Sequence, residues 1–250
     1  PMAGHSHSKN IKHKKDAADQ KRGILFSKLS RLIIVAAKHG GGDPDANIRL
    51  RFAIDSARAV SMPMDNIERA IKKGTGELEG GQLDEVTYEG YGVGGVAILV
   101  EALTDNRART AGEVRNTFES HGGKVGTAGC VAWMFKPKGV FVIDSKHADE
   151  DRLLEVVLEA GAEDVQRVDD LFEVTCDPTK FHNIKKALED ARIATESAEL
   201  SQVPSAMIDV DEEAGRKLLK LIEALDDMDD IQHVHSNANI PDAALAAAGS

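Results

Sequence analysis

The residues whose type and spacing point most directly to chemistry are cations near the start of the chain. Lys9, Lys12, Lys14, Lys15, Lys21 and Arg22, with His13 among them, lie in a stretch (Ala3–Arg22) whose one large apolar side chain is Ile11. Lys28, Arg31, Arg49, Arg51, Lys72 and Lys73 continue the series on segments of helical periodicity. A Lys or Arg with an anchored stem and a solvated head suits a phosphate oxygen, by charge alone for Lys and by a forked pair of donors for Arg. Any single surface cation commonly does no more than solvate a helix, so the case rests on the aggregate. Residues 1–76 hold 15 Lys and Arg against 7 Asp and Glu, and the remaining 174 hold 16 against 35. The net charges are +8 and −19. A basic head can meet a polyanion while an acidic body keeps the molecule soluble. This sorting predicts that nucleic-acid affinity resides in residues 1–76.

Other candidates are weaker. Arg107 and Arg109 precede Thr110-Ala-Gly-Glu113, which reads as a capping box opening a helix. Two arginines at a helix N-terminus make a candidate anion site, but a capping loop with solvated arginines is the reading the sequence favours. Gly90-Tyr-Gly-Val-Gly-Gly95 spells a dinucleotide fingerprint, but the following Val96-Ala-Ile-Leu-Val is strand-like, so a strand-to-strand turn is the better reading. His5, His7 and His13 have no thiol or carboxylate at ligand spacing, and no metal site is expected. Cys130 and Cys176 lack C-x-x-C spacing and read as reduced, buried thiols. His233 and His235 share one face of a terminal strand and read as solvent-facing; Asp226–Asp230 reads as a solvated turn. No H-E-x-x-H, G-x-S-x-G or P-loop pattern is present, so no catalytic residue, cofactor or enzymatic activity is expected. An enzyme with a cleft between body domains would need convergent polar groups in a pocket.

The elements that must position these residues follow from periodicity. Leu25, Leu29, Leu32 and Ala36 mark a helix ended by Gly40-Gly-Gly42; Leu50, Ile54 and Ala57 mark a second, and Ile67, Ala70 and Ile71 a third. Val86–Tyr88 and Val96–Leu103 are β-rich, and Val125–Phe135 also reads as a strand. From Gly139 to Val203 the signals run strand, helix, strand, strand, helix, strand, the ferredoxin-like order. A strong helix (Leu218, Leu221, Ile222, Leu225) and a strand near Ile231–His235 follow, and Asp242–Ser250 has no core-forming pattern and reads as a frayed tail. The longest apolar runs, Leu32–Ala37 and Val96–Val100, are too short to span a bilayer, and a cytoplasmic chain without membrane contact is expected.

Several longer motifs carry a resemblance. Met2-Ala-Gly-His-Ser, Asn10-Ile-Lys-His-Lys-Lys15, His39-Gly-Gly-Gly-Asp-Pro44 and Met64-Asp-Asn-Ile-Glu-Arg-Ala-Ile-Lys-Lys-Gly74 resemble the YebC/PmpR family. Tyr88-Glu-Gly-Tyr-Gly-Val-Gly-Gly95, Leu103-Thr-Asp-Asn-Arg107 and Val131-Ala-Trp-Met-Phe135 extend the match over almost the whole chain. The resemblance implies a three-domain cytoplasmic protein described as a DNA-binding transcriptional regulator; a mitochondrial relative is a translational activator, and bacterial members are linked to ribosomes. The chain departs from the family at His7-Ser8, where the family places Lys-Trp after Gly-His-Ser, so little base stacking is expected.

The expected fold is therefore α+β: an N-terminal three-helix domain followed by two α/β-sandwich-type domains, one ferredoxin-like and inserted in the other. The expected boundaries are a basic helical domain at 1–80 with its N-terminal arm, a middle domain at 81–136 plus 205–241, an inserted domain at 137–204 and a tail at 242–250. The expected partner is DNA, RNA or both, the ribosome included, with protein partners for the acidic domains.

Overall fold

The structure, a computed structural model, describes residues 22–80 and 82–248, the side chains of Arg22 and Ala248 excepted. The chain opens with α1 (Arg22–Gly40), α2 (Ile48–Ala59) and α3 (Met64–Thr75). Their apolar faces close on one another: Leu29, Ile33, Ala36 and Ala37 meet Leu50, Ile54, Ala57, Ile67 and Ala70, all buried. The corner between α1 and α2 is built around Asn47. Its side-chain oxygen accepts from the Leu50 amide at 3.1 Å, capping α2, while Nδ2 donates to the carbonyls of Ala36 and Gly41 at 2.8 Å. A Cβ on Gly40 would lie 2.5 Å from that side chain, so only glycine lets the two helices meet there.

The body continues with β1 (Asp84–Tyr91), β2 (Ala97–Thr104), α4 (Arg107–Ser120), β3 (Lys124–Val125) and β4 (Phe135–Asp144). Then come α5 (Glu150–Glu159), β5 (Ala162–Val168), β6 (Leu171–Cys176), α6 (Phe181–Asp190) and β7 (Ser197–Pro204). The chain closes with β8 (Ile208–Asp209), α7 (Glu212–Asp226), β9 (Ile231–Ser236), β10 (Ala238–Asn239) and α8 (Asp242–Ala248).

Two four-stranded antiparallel sheets result. The first has the order β3-β1-β2-β9. Its β1–β2 turn, expected from the glycine cluster, carries Gly94 and Gly95 at φ +74° and +73°, the left-handed conformation that glycine adopts without strain. β2 is buried on both faces: Ile98 and Val100 pack with Val114, Phe118, Leu218 and Leu221 of α4 and α7, whereas Ala97 and Leu99 meet Val131 and Phe135. The second sheet has the order β5-β6-β4-β7 with every neighbour antiparallel, which is the split βαββαβ ferredoxin-like topology. Leu153, Val157, Ile184 and Leu188 of α5 and α6 cover one face against Phe141, Ile143, Phe172 and Val174. β9 and β10 return from beyond this unit, and β9 pairs with β2 of the first sheet, so the ferredoxin-like unit is inserted in the other.

Three local expectations differ from the structure. The segment expected as a strand over Val125–Phe135 pairs only at Lys124–Val125, then forms a loop and a 3₁₀ turn at Ala132–Met134. Helix α4 begins at Arg107, capped by Asn106, whose side chain accepts from the Arg109 amide; Thr110 is not a cap but a buried residue of the helix. The tail forms α8, which buries Ala244 between Gly215 and its neighbours on α7. Alanines spaced for a helix need only a small-residue partner to pack, and Gly215 provides it.

Candidate nucleic-acid interface

The structure separates the sequence-predicted cations into those engaged within the protein and those facing water. Arg31 and Lys28 project from α1 into the body. The Arg31 guanidinium reaches the Asp230 carboxylate at 2.9 Å and the Leu103 carbonyl at 3.0 Å, and Lys28 donates to the Asp226 carbonyl at 2.6 Å. The acidic patch expected as a solvated turn is thus a docking point. Asp230 is 4% exposed, and it also accepts from Thr110 at 2.6 Å, Arg109 at 2.7 Å and Thr104 at 3.0 Å. Burial alone would raise its pKa; these hydrogen bonds and the Arg31 charge outweigh that and hold it below the usual carboxylate range.

Arg107 and Arg109 sit in the first turn of α4, each beside a carboxylate. Arg107 meets Asp84 at 2.8 Å, and Arg109 bridges Asp105 and Asp230. Arg49 and Arg51 are about half exposed; Arg49 faces Glu85 at 3.2 Å, and Arg51 has Asp45 at 3.8 Å while it donates to the Pro44 and Asp45 carbonyls at 3.0 and 2.9 Å, on the protein surface. Exposed pairs of this kind contribute at most about 1 kcal/mol, so a phosphate can displace the carboxylate at little cost. Lys72 and Lys73 lie in the last turn of α3, where no carboxylate stands within ion-pair distance among the described residues, and the same holds for the exposed Arg58 and Arg69. Lys9, Lys12, His13, Lys14, Lys15 and Lys21 lie outside the described residues, and Arg22 opens α1.

On the body, a loop is wound around Glu89 of β1. Its carboxylate, 7% exposed, accepts from the amides of Gly129 (2.6 Å), Val131 (2.7 Å) and Ala132 (2.7 Å). Desolvation pushes this carboxyl up, and the three amides outweigh it and lower its pKa. Val131 and Phe135 are buried on either side, yet Trp133 between them is 70% exposed. The indole Nε1 and the Tyr91 hydroxyl both donate to the Cys130 carbonyl at 3.1 Å.

Comparison with known proteins fits this architecture. Residues 6–77 match the family model of the TACO1/YebC protein N-terminal domain, and residues 83–238 match that of the TACO1/YebC second and third domain. The chain belongs to the TACO1/YebC family. A relative from Desulfatibacillum aliphaticivorans, named "Probable transcriptional regulatory protein", is 52% identical over 98% of this chain and 99% of its own length. A similarly named Geobacter sulfurreducens relative is 54% identical over 96% of each chain. The crystal structure of a conserved hypothetical protein from Aquifex aeolicus superposes with a TM-score of 0.80 at 47% identity, covering 88% of this chain and 91% of that one.

The motifs that carry the TACO1/YebC resemblance have identifiable tasks here. His39–Pro44 forms the Asn47-held corner between α1 and α2, and Val131–Phe135 is the segment that Glu89 grips. Sequence reasoning missed the groups that act at a distance. His235, expected in solvent, is 7% exposed: Nε2 lies 3.3 Å from the Glu101 carboxylate and Nδ1 lies 3.5 Å from the Ser201 hydroxyl. Desolvation raises the Glu101 pKa, but the His235 hydrogen bond and charge, the His233 charge and the Gln202 amide together bring it down to about 2. Serine, histidine and glutamate in contact suggest a nucleophile, but Ser201 is itself only 7% exposed and joins β7 to β9 rather than facing a substrate. Asp144, His147 and Glu196 each bring one ligand atom within 4.8 Å of the others, beside a hollow of about 610 Å³ lined in part by His147, Arg167 and Phe172. No spacing motif announces that trio, because Glu196 comes from a distant turn. Among the described residues, no helix is long and apolar enough to cross a membrane.

Proposed function

We propose that this protein is a non-enzymatic, cytoplasmic regulator of gene expression that binds nucleic acid through its helical head, with DNA as the first candidate target. The observation that carries the reading is the coincidence of a +8 head with cations that have no carboxylate beside them, Lys72 and Lys73 together with Arg58 and Arg69. Arg49, Arg51, Arg22 and the arm residues Lys9, Lys12, His13, Lys14, Lys15 and Lys21 complete the proposed phosphate-binding set. Lys28 and Arg31 are left out of it because their heads are spent on Asp226 and Asp230. Arg109 is likewise left out, since the nearly buried Asp230 holds its guanidinium, whereas Arg107, whose exposed pair with Asp84 a phosphate can displace, stays in the set as an anion contact on the body. The names of the relatives support regulation of transcription. The acidic body would limit non-specific sticking and offer a surface to protein partners.

A second reading, a ribosome-associated translation factor, uses the same cations, because phosphate contacts carry no identity of the polymer. The exposed Trp133 favours it, since an aromatic side chain reaches base faces only where bases are unstacked. Crosslinking in cells followed by sequencing of bound DNA and RNA separates the two: defined promoter segments support DNA, and ribosomal RNA supports the second. Recovery of neither would contradict both. We further propose the domain division 1–80, 81–136 with 205–241, and 137–204, each with its own apolar core, and with α8 joined to the middle domain through Ala244.

A further inference from the structure

We propose that Trp133 and Tyr91 form a stacking platform for an unstacked nucleobase, a second nucleic-acid contact on the body, separate from the basic head. The proposal deepens the nucleic-acid reading and rests on it. A lone exposed apolar side chain needs no explanation, but this one is held in place. The turn that bears it is pinned by buried Val131 and Phe135 and by a buried carboxylate that spends both oxygens on loop amides. Placing the Glu89 charge in the interior is costly unless its partners are fixed, so the turn is rigid. What the rigid turn holds out is an indole.

A second aromatic side chain shares its anchor. Because the Tyr91 hydroxyl and the Trp133 Nε1 share the Cys130 carbonyl, the two side chains are tethered to one oxygen atom. That contact satisfies the polar group of each ring, and Trp133 as a whole is left 70% exposed. Charge at the rim has the right sign. Lys124 stands directly opposite Tyr91 in the β1–β3 pair, and Lys136 follows three positions after Trp133; neither has a carboxylate within ion-pair distance among the described residues. An exposed aromatic side chain with a lysine at the cross-strand position of its neighbour, on an otherwise acidic body, is an arrangement that single-stranded nucleic acid can use, with the base on the ring and a backbone phosphate on the cation. A duplex hides its base faces, so the platform discriminates against it.

The single tryptophan of the chain makes the test direct, since its fluorescence reports this site alone. The full-length protein is titrated with oligouridylate, with oligothymidylate and with a base-free phosphodiester chain of equal length. Labelled single strands and duplex are titrated in parallel by anisotropy. Saturable quenching by the base-bearing strands and not by the base-free chain is expected. RNA and DNA arms distinguish which sugar the site prefers. Trp133→Ala should lower single-strand affinity about 10-fold and leave duplex affinity within about 2-fold, while Trp133→Phe should restore most of the loss. Equal quenching by the base-free chain, or unchanged single-strand affinity in Trp133→Ala, would overturn the platform. Failure of the head reading is a separate result: duplex affinity that ignores Lys72→Ala/Lys73→Ala, whatever the tryptophan reports.

Discussion

Arg31 of the first helix and Asp230 of the turn before β9 form a nearly buried ion pair, 2.9 Å apart, with side chains 18% and 5% exposed. It joins the basic head to the acidic body, and it is not alone. Leu83 and Leu103 of the body complete the apolar core of the head, and Phe52 of α2 meets Phe181 of the ferredoxin-like unit edge-to-face at 5.9 Å. The head is therefore packed on both body units. Cutting the chain near residue 80 would strip Asp230 of a cation and expose Leu103, so binding is better mapped with point variants than with fragments.

Asp230→Ala should destabilise the protein by about 3–5 kcal/mol, because it leaves the Arg31 guanidinium largely buried without its counter-charge and takes one acceptor from each of Thr104, Thr110 and Arg109. Denaturant unfolding reads this directly. A loss below about 1 kcal/mol would show that the head is held by apolar contact alone. Arg109→Ala should cost less, since that side chain is 43% exposed, but it should still lower stability through the same carboxylate.

Acid should loosen the seam between β2, β7 and β9. The Glu101 carboxyl titrates at about 2 in the fold against an ordinary 4.5, so its stabilisation is full above about pH 4.5 and is lost as pH falls toward 2. Unfolding midpoints measured from about pH 6 to about pH 3 should fall in the wild type. Glu101→Gln should start lower and fall less steeply, so that the two curves converge in acid. Parallel curves would mean that the Glu101–His235 contact carries no proton linkage.

The contrast between legible and illegible parts has a physical cause. The ferredoxin-like unit could be read because each strand and helix buries its own periodic face: Val140–Ile143, Leu153 with Val157, and Ile184 with Leu188 announce themselves locally. The loop at 126–134 could not, because Val125, Val131 and Phe135 imitate a strand while the group that shapes the segment, Glu89, lies on β1. Asp230 and His235 failed for the same reason. A charged side chain reads as solvent-facing until a partner such as Arg31 or Glu101 arrives from elsewhere in the chain. Among the cations, charge sorting located the basic head but not which members, such as Lys28 and Arg31, are spent inside the protein.

Glu89→Ala should leave the amides of Gly129, Val131 and Ala132 without their acceptor and destabilise the fold by about 2–4 kcal/mol. Hydrogen exchange at those three amides should accelerate more than exchange in the β4–β6 ladder. Uniform acceleration across the protein would deny the loop a local hold.

The central claim is that exposed head cations neutralise phosphate, and the salt dependence of duplex binding by the full-length protein tests it most directly. If about six cations each neutralise one phosphate, log K against log salt should have a slope near −5. Lys72→Ala/Lys73→Ala should reduce that slope by about two and weaken unrelated sequences equally. A shallow wild-type slope, or a slope unmoved by the double variant, would contradict the account.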